Sequence, residues 1–434
     1  GGGKIMEKIN FDQLQEELYH EKLPNGLNVY ILPKKGFNKT FATFTTKYGS
    51  IDNNFVPLGK EEYVKVPDGI AHFLEHKLFE KEDGDVFQQF SRQGASANAF
   101  TSFTRTAYLF SSTSDVEKNL ETLVDFVQDP YFSEKTVEKE KGIIGQEITM
   151  YDDNPDWRLY FGLIQNLYQN HPVKIDIAGT IESISHITKD LLYECYNTFY
   201  HPSNMLLFIV GPVDPTKFMD QIRDNQLKKV YEDMPEIKRK FEDEPVHAAQ
   251  QKQVLEMNVQ TSKCLIGMKA LHVDQSGAEL LKNELTMNVL LDLMFGKSSD
   301  NYTQLYNDGL IDETFSYDYT QEQGFGFAMI GGDTENPEKL ADQLKDMLFQ
   351  AKNGTSFTED QLDRAKKKKI GGFLRAVNSP EYIANQFTRY AFNDMNLFDV
   401  VPTLEKITLN DVKTMASEVI SEERFSVCQV IPKK

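Results

Sequence analysis

Apolar and polar positions alternate in runs that divide the chain into recognisable elements. The run LPNGLNVYIL, Leu23 to Leu32, centres on Asn25-Gly26, a dipeptide suited to tight turns. Alternating apolar residues follow it, so the run predicts a hairpin. Phe41 to Tyr48 predicts another strand. Further on, apolar residues recur at helical spacing in GIAHFLEHKLFE, and Asp68 stands just before it. The pattern predicts a helix from about Gly69 to Glu80 with Asp68 as its N-cap. Ala97 to Phe110 is rich in β-branched and aromatic residues and predicts a strand or hairpin. Helices are expected over Val116 to Gln128 and Ser133 to Tyr151, the second capped by Ser133. A strand from Met205 to Val210 ends at Gly211-Pro212.

The pattern breaks between Leu227 and Gln253, where the chain is charged, contains proline and loses apolar periodicity. This predicts a linker at 227–253 between halves at 1–226 and 254–434. MLLFIVGP (Met205 to Pro212) and FSVCQVIP (Phe425 to Pro432) hold similar places in the two halves, as a diverged duplication would give. Strands and helices mix in each half. The expected class is therefore α+β, with two similar sandwich-like halves, each a mostly antiparallel sheet covered by helices.

Composition narrows the function. The 434 residues carry 47 Lys and Arg against 66 Asp and Glu, a net charge of −19. That balance disfavours nucleic acid as a partner. Lys366 to Lys369 lies in a predicted helix and is expected to be a solvated stripe. Gly324-Phe-Gly326 lacks the strand and helix that a dinucleotide loop needs. No apolar run approaches the roughly 18–20 residues of a membrane span, so no membrane is expected as a partner. The three cysteines, Cys195, Cys264 and Cys428, are scattered and odd in number. They are expected to be free thiols in a reducing compartment. Gly1 to Gly3 reads as a non-native extension, with Met6 the expected native start.

The chemistry concentrates in His72-Phe73-Leu74-Glu75-His76. On a helix, residues four apart stand one turn above each other, so both imidazoles can face one ion. Zinc accepts neutral imidazole nitrogen. Glu75 borders the same face and can take a proton from water beside the metal. Catalytic zinc usually has three protein ligands, so a third must come from elsewhere. The helix after Ser133 offers Glu138, Glu140 and Glu147. Glu140 and Glu147 are seven apart and share a face. Either could bind the metal while the other accepts a hydrogen bond from a ligand histidine. Ile143 and Ile144 between them suggest that this helix packs on a core.

HxxEH reverses the common HExxH order. GIAHFLEHKLFE and EKEKGIIGQEI together resemble the signatures of the pitrilysin, insulysin and mitochondrial processing peptidase family. That resemblance implies zinc ligands at His72, His76 and Glu147, a general base at Glu75, and a supporting glutamate at Glu140. GASANAFT resembles the family's strand beside the active site, which implies that Asn98 and Ala99 contact substrate by strand addition. FLRAVNSPEY has the spacing of the family's later arginine and tyrosine, implying that Arg375 and Tyr382 hold substrate and stabilise the oxyanion. Pro380 between them predicts a helix break, and Arg389-Tyr390 is a rival pair. Lys77 stands where the family often has methionine.

The resemblance covers nearly the whole chain. It implies a zinc metalloendopeptidase of the short, two-repeat subfamily similar to bacterial processing proteases. In that subfamily two chains close a chamber, as a homodimer or with a related sister subunit, and the substrate is a peptide or unfolded polypeptide. The alternative within the family is a non-catalytic partner subunit, which typically lacks the zinc motif. A bacterial cytoplasm is the expected compartment, with the mitochondrial matrix as the alternative.

Overall fold

A computed structural model describes residues 6–11, 14, 16–353 and 357–434. The chain forms two compact units. The first holds Gly1–Ile148, Ile175–Phe241 and Ala376–Phe392; the second holds Thr149–Lys174, Glu242–Arg375 and Asn393–Lys434.

The first unit is built on a seven-stranded sheet. Its strands are β1 (Glu7–Phe11), β2 (Glu16–Lys22), β3 (Asn28–Pro33), β4 (Thr40–Thr46), β5 (Ser96–Thr101), β6 (Thr106–Ser112) and β7 (Met205–Gly211). They lie in the order β1-β2-β3-β7-β4-β6-β5. Strands β2 and β3 form the expected hairpin, and Gly26 takes φ 94°, a conformation that glycine adopts freely. In this sheet, among the described residues, only β3 and β7 pair in parallel. Strands β4 and β7 are buried along their whole lengths, so both faces of the sheet centre are covered. Helices α1 (Ile70–Leu78), α2 (Val116–Val127) and α3 (Glu134–Asp152) answer to the three helices expected from periodicity. Ser133 caps α3 as expected: its Oγ accepts the Thr136 N–H at 3.2 Å.

The second unit carries a five-stranded sheet of β8 (Lys252–Met257), β9 (Lys263–Lys269), β10 (Ser316–Glu322), β11 (Phe325–Asp333) and β12 (Phe425–Pro432). The order is β8-β12-β9-β11-β10. Strand β12 runs parallel to β8 and antiparallel to β9, just as β7 runs parallel to β3 and antiparallel to β4. The duplication suggested by MLLFIVGP and FSVCQVIP is thus repeated in strand order and direction. Helices α4 (Pro155–Leu167), α5 (Gly277–Phe295) and α6 (Glu359–Ala376) belong to this unit, α6 by all but its last residue.

The contiguous division at 1–226 and 254–434 differs from what the structure shows. Helix α4 lies on the second sheet, where the Asn166 Nδ2 donates to the Val427 carbonyl at 3.1 Å. Helix α7 (Pro380–Ala391) lies on the first, with Phe387 4.8 Å from the Tyr30 ring and 4.9 Å from Phe208. Each half of the sequence therefore lends one helix to the other half's sheet. The expected linker also folds onto both units. Lys238 and Lys240 bond the backbone of Val56 and Asn54 in the first. Glu244 accepts from three successive backbone N–H groups, Gln169 to His171, in the second. Low apolar periodicity marked a segment held by backbone pairing and charge, which periodicity does not register.

The lysine run is likewise more than a solvated stripe. Lys366 donates to the carbonyls of Glu405 and Ile407, both at 2.8 Å, and Lys369 pairs with Asp292 at 2.8 Å. All three cysteines are buried free thiols. Among the described residues, no helix is long and apolar enough to cross a membrane.

Candidate metal centre

The helix that carries His72 and His76 is fixed by its apolar face. Ile70, Phe73, Leu74 and Leu78 are fully buried. At about 1.5–3 kcal/mol for each such side chain, that face holds α1 far more firmly than its helix propensity. The start of α1 is set by glycine, not by the expected Asp68 cap. Gly69 occupies the N-cap at φ 90°, and no side chain caps the helix. A Cβ at Gly69 would lie 2.4 Å from the Ala178 carbonyl oxygen; one at Gly179 would lie 2.4 Å from that of Asp68. Two backbones thus cross in contact, and Ser183 pins the crossing by donating to the Asp68 carbonyl at 2.8 Å. The Asp68 side chain accepts from Asn53 instead, at 3.2 Å.

The one-turn spacing brings the two histidines together as periodicity requires. Their Nε2 atoms are 3.0 Å apart. Helix α3 approaches with Glu147, whose Oε2 is 3.9 Å from the His72 Nε2 and 3.8 Å from that of His76. One turn-pair earlier, Glu140 reaches the other face of His76, 3.4 Å from Nδ1. Glu140, Ile144 and Ile148 are buried on α3, whereas Ile143 is 44% exposed; the core contact foreseen for the isoleucine pair belongs to Ile144 alone. Glu75 sits beside the set, its Oε2 3.8 Å from the His76 Nε2.

A divalent ion suits this donor set. Four ligands at zinc distances of 2.0–2.1 Å in a tetrahedron stand roughly 3.3 Å from one another. The three edges between the two Nε2 atoms and Glu147 Oε2 bracket that spacing. Glu147 Oε2 is buried and has no hydrogen-bond partner among the described residues, although two imidazole nitrogens face it. A bound cation would satisfy all three atoms at once. Glu140 on Nδ1 of His76 fixes the tautomer that leaves Nε2 free to bind. The Nδ1 of His72 is buried without a hydrogen-bond partner among the described residues.

Electrostatics sort the ionisable groups by role. Burial, with the neighbouring His76, pushes His72 down to about 3, so it is neutral and ready to ligate at any ordinary pH. For His76 burial acts in the same direction, but the hydrogen bond to Glu140 and the charges of Glu75 and Glu147 outweigh it and raise its basicity. Burial raises Glu75 to about 7; His76 and the Thr101 hydroxyl oppose that rise, and Glu147 and Glu140 add to it. A carboxyl balanced near neutrality, beside a set of metal donors, is suited to exchanging protons with water.

The other expected site residues lie on different elements. Asn98 and Ala99 are on β5, the open edge of the first sheet, and the Asn98 Oδ1 accepts the Ala99 N–H at 2.8 Å. Arg375 is exposed near the end of α6, in the second unit, while Tyr382 is half-buried in the first turn of α7, in the first unit. The break expected at Pro380 is present, with Ser379 capping α7 through the Tyr382 N–H at 3.3 Å. Of the rival pair, Tyr390 is buried and lies under the Arg389 guanidinium, 5.4 Å from it. Thr101 was not singled out from the sequence. Its hydroxyl lies 3.4 Å from Glu75 Oε1. The available signal was its place two residues past Ala99, on the same face of the strand.

The chain is similar to known proteins along its length. Residues 60–181 match the family model described as Insulinase (Peptidase family M16), and 186–369 match that of the Peptidase M16 inactive domain. The uncharacterized zinc protease YmfH of Bacillus subtilis is 68% identical over 99% of this chain and 100% of its own. Zinc protease PqqE of Helicobacter pylori is 24% identical over 94% of this chain and 92% of its own. The crystal structure of an M16-like peptidase from Alicyclobacillus acidocaldarius, 36% identical, superposes with a TM-score of 0.92 over the full length of both chains.

Proposed function

The chain belongs to peptidase family M16, and from that premise we propose that it is a zinc-dependent endopeptidase with Glu75 as general base. The observation that carries the reading is the convergence of His72 Nε2, His76 Nε2 and Glu147 Oε2 within 3.9 Å of one another, with Glu75 alongside. A chain serving only as an inactive partner would have no need of the complete set.

His72, His76 and Glu147 would hold the ion, and Glu140 would orient His76. Zinc, when bound, supplies Lewis acidity that polarises the scissile carbonyl and makes water acidic at neutral pH. Glu75 takes the proton from the attacking water and passes it to the leaving amine. The peptide is expected to pair with the open edge of β5 near Asn98 and Ala99, which leaves the scissile bond next to the strand end that touches Glu75. Arg375 and Tyr382 are the proposed donors to substrate and oxyanion. A dimer, of two copies or with a sister subunit, would bring them from one chain to the zinc of the other and close a chamber that admits unfolded polypeptide. A cytoplasmic location fits the free thiols.

Glu75→Gln provides the test. The variant should keep one zinc per chain and lose turnover of a quenched peptide by roughly 10²–10⁴-fold. Turnover equal to wild type with zinc in place would refute Glu75 as the base.

A further inference from the structure

Glu75 presents its two oxygens to different neighbours. Oε2 faces the imidazoles, 3.8 Å from the His76 Nε2, and Oε1 faces the Thr101 hydroxyl at 3.4 Å. A carboxylate on a flexible side chain has no intrinsic reason to keep those two oxygens apart. A fixed neutral donor on the far oxygen has a definite effect: it selects one rotamer and leaves Oε2 free on the side of the metal ligands.

Thr101 is well anchored for that task. It is the last residue of β5 and pairs with Thr106 on β6. The Thr106 hydroxyl donates to the Tyr48 carbonyl at 2.8 Å, and the Ser102 N–H donates to the Arg105 carbonyl at 2.8 Å. Ser50 and Ile51 donate in turn to the carbonyls of Ser102 and Phe103. Gly49 lies so close that a Cβ there would be 2.4 Å from the Phe103 carbonyl oxygen. The turn beyond Thr101 is therefore locked from two sides. A β-branched side chain on a fixed backbone has little rotamer freedom, so its hydroxyl is a fixed post.

We propose that Thr101 is a positioning residue for Glu75, holding Oε1 so that Oε2 faces the attacking water. The inference rests on the reading of the chain as a zinc peptidase with Glu75 as base. It adds a link between docking and chemistry. The strand that ends in Thr101 is the one whose free edge is open to a peptide, so pairing at β5 bears on the same backbone that orients the base. At 3.4 Å the contact is long for an O–H···O bond, which limits the expected effect to a moderate one.

The test compares Thr101→Val, Thr101→Ser and Glu75→Gln with wild type, each as the full zinc-loaded chain, on one quenched peptide. Zinc content and melting temperature are measured beside kcat and KM. Valine keeps shape and removes the donor. It should lower kcat about tenfold, with KM, zinc content and melting temperature unchanged, and serine should recover most of the loss. If valine misfolds, Thr101→Ala must give the same kcat-selective loss. A change below about twofold in kcat, or equal losses in kcat and KM that serine does not rescue, overturns the proposal. Glu75→Gln separates the two claims: if it is active, the base assignment fails; if it is inactive while Thr101→Val is unimpaired, only the role of Thr101 fails.

Discussion

Glu75 is held in a place that costs the metal-free chain stability. Its carboxyl is raised by burial to about 7, above its usual value of 4.5. A carboxyl raised in the folded state favours folding when protonated. That contribution is complete below the unfolded value and is lost as pH climbs through 7. With Glu75 only 8% exposed, the loss amounts to about 3 kcal/mol by pH 8. Metal-free Glu75→Gln should therefore match wild type near pH 4.5 and exceed it increasingly up to pH 8, as read from denaturant midpoints. A gap that is constant with pH would mean that Glu75 is not desolvated. His72 runs the other way: its depressed value contributes stability that is lost as pH falls below about 6.5, and it is common to both chains. The roles suggested by spacing alone, two histidines on one face and two glutamates seven apart, needed only the helical period to be legible. Spacing left Glu140 and Glu147 interchangeable. Distance separates them, since Glu147 faces both Nε2 atoms and Glu140 faces Nδ1 of His76. The strand pattern puts Thr101 on the face of Ala99, but its contact with Glu75 joins a strand to a helix across 26 positions, and no local pattern encodes that partner.

Within single elements, sequence patterns are legible where the chemistry that acts is local. Asn25-Gly26 fixed a hairpin, and Ser133 capped α3. Asp68 has the side chain of a cap, but the start of α1 lies at Gly69, whose geometry is dictated by a distant backbone at Ala178 and Gly179. That crossing fixes the first residue of the helix that carries the two histidines. Gly69→Ala must meet the Ala178 carbonyl at 2.4 Å and occupy φ 90°, each unfavourable for alanine. It should cost about 1–3 kcal/mol in stability and weaken zinc binding more than turnover per bound zinc. An unchanged zinc affinity would show that the crossing does not position the site.

Across the whole molecule, the sequence pattern carried the duplication but not its wiring. MLLFIVGP and FSVCQVIP marked equivalent strands, yet contiguity suggested halves that keep their own helices. The structure places α4 on the second sheet and α7 on the first, because Phe387 meets Tyr30 and Phe208, and Tyr160 of α4 meets Phe327, far along the chain. Arg375 and Tyr382 sit at that exchange, one at the end of α6 and the other at the start of α7. If a partner chain supplies them, mixing Arg375→Ala with Glu75→Gln should restore part of the activity that each lacks alone. Absence of rescue in a preparation proven to contain mixed dimers would rule out supply from the partner.

In the proposed centre one ion is gripped by His72, His76 and Glu147, with Glu75 left free. Zinc stoichiometry and affinity of purified chains in buffered zinc test it most directly, because Glu75 and Glu147 lie at the same 3.8 Å from the His76 Nε2. Wild type and Glu75→Gln should each bind one zinc tightly. His76→Ala and Glu147→Gln should weaken binding beyond the roughly 10–100-fold expected for Glu140→Gln, which removes only an outer hydrogen bond. Tight zinc in Glu147→Gln together with its loss in Glu75→Gln would make Glu75, and not Glu147, the third ligand.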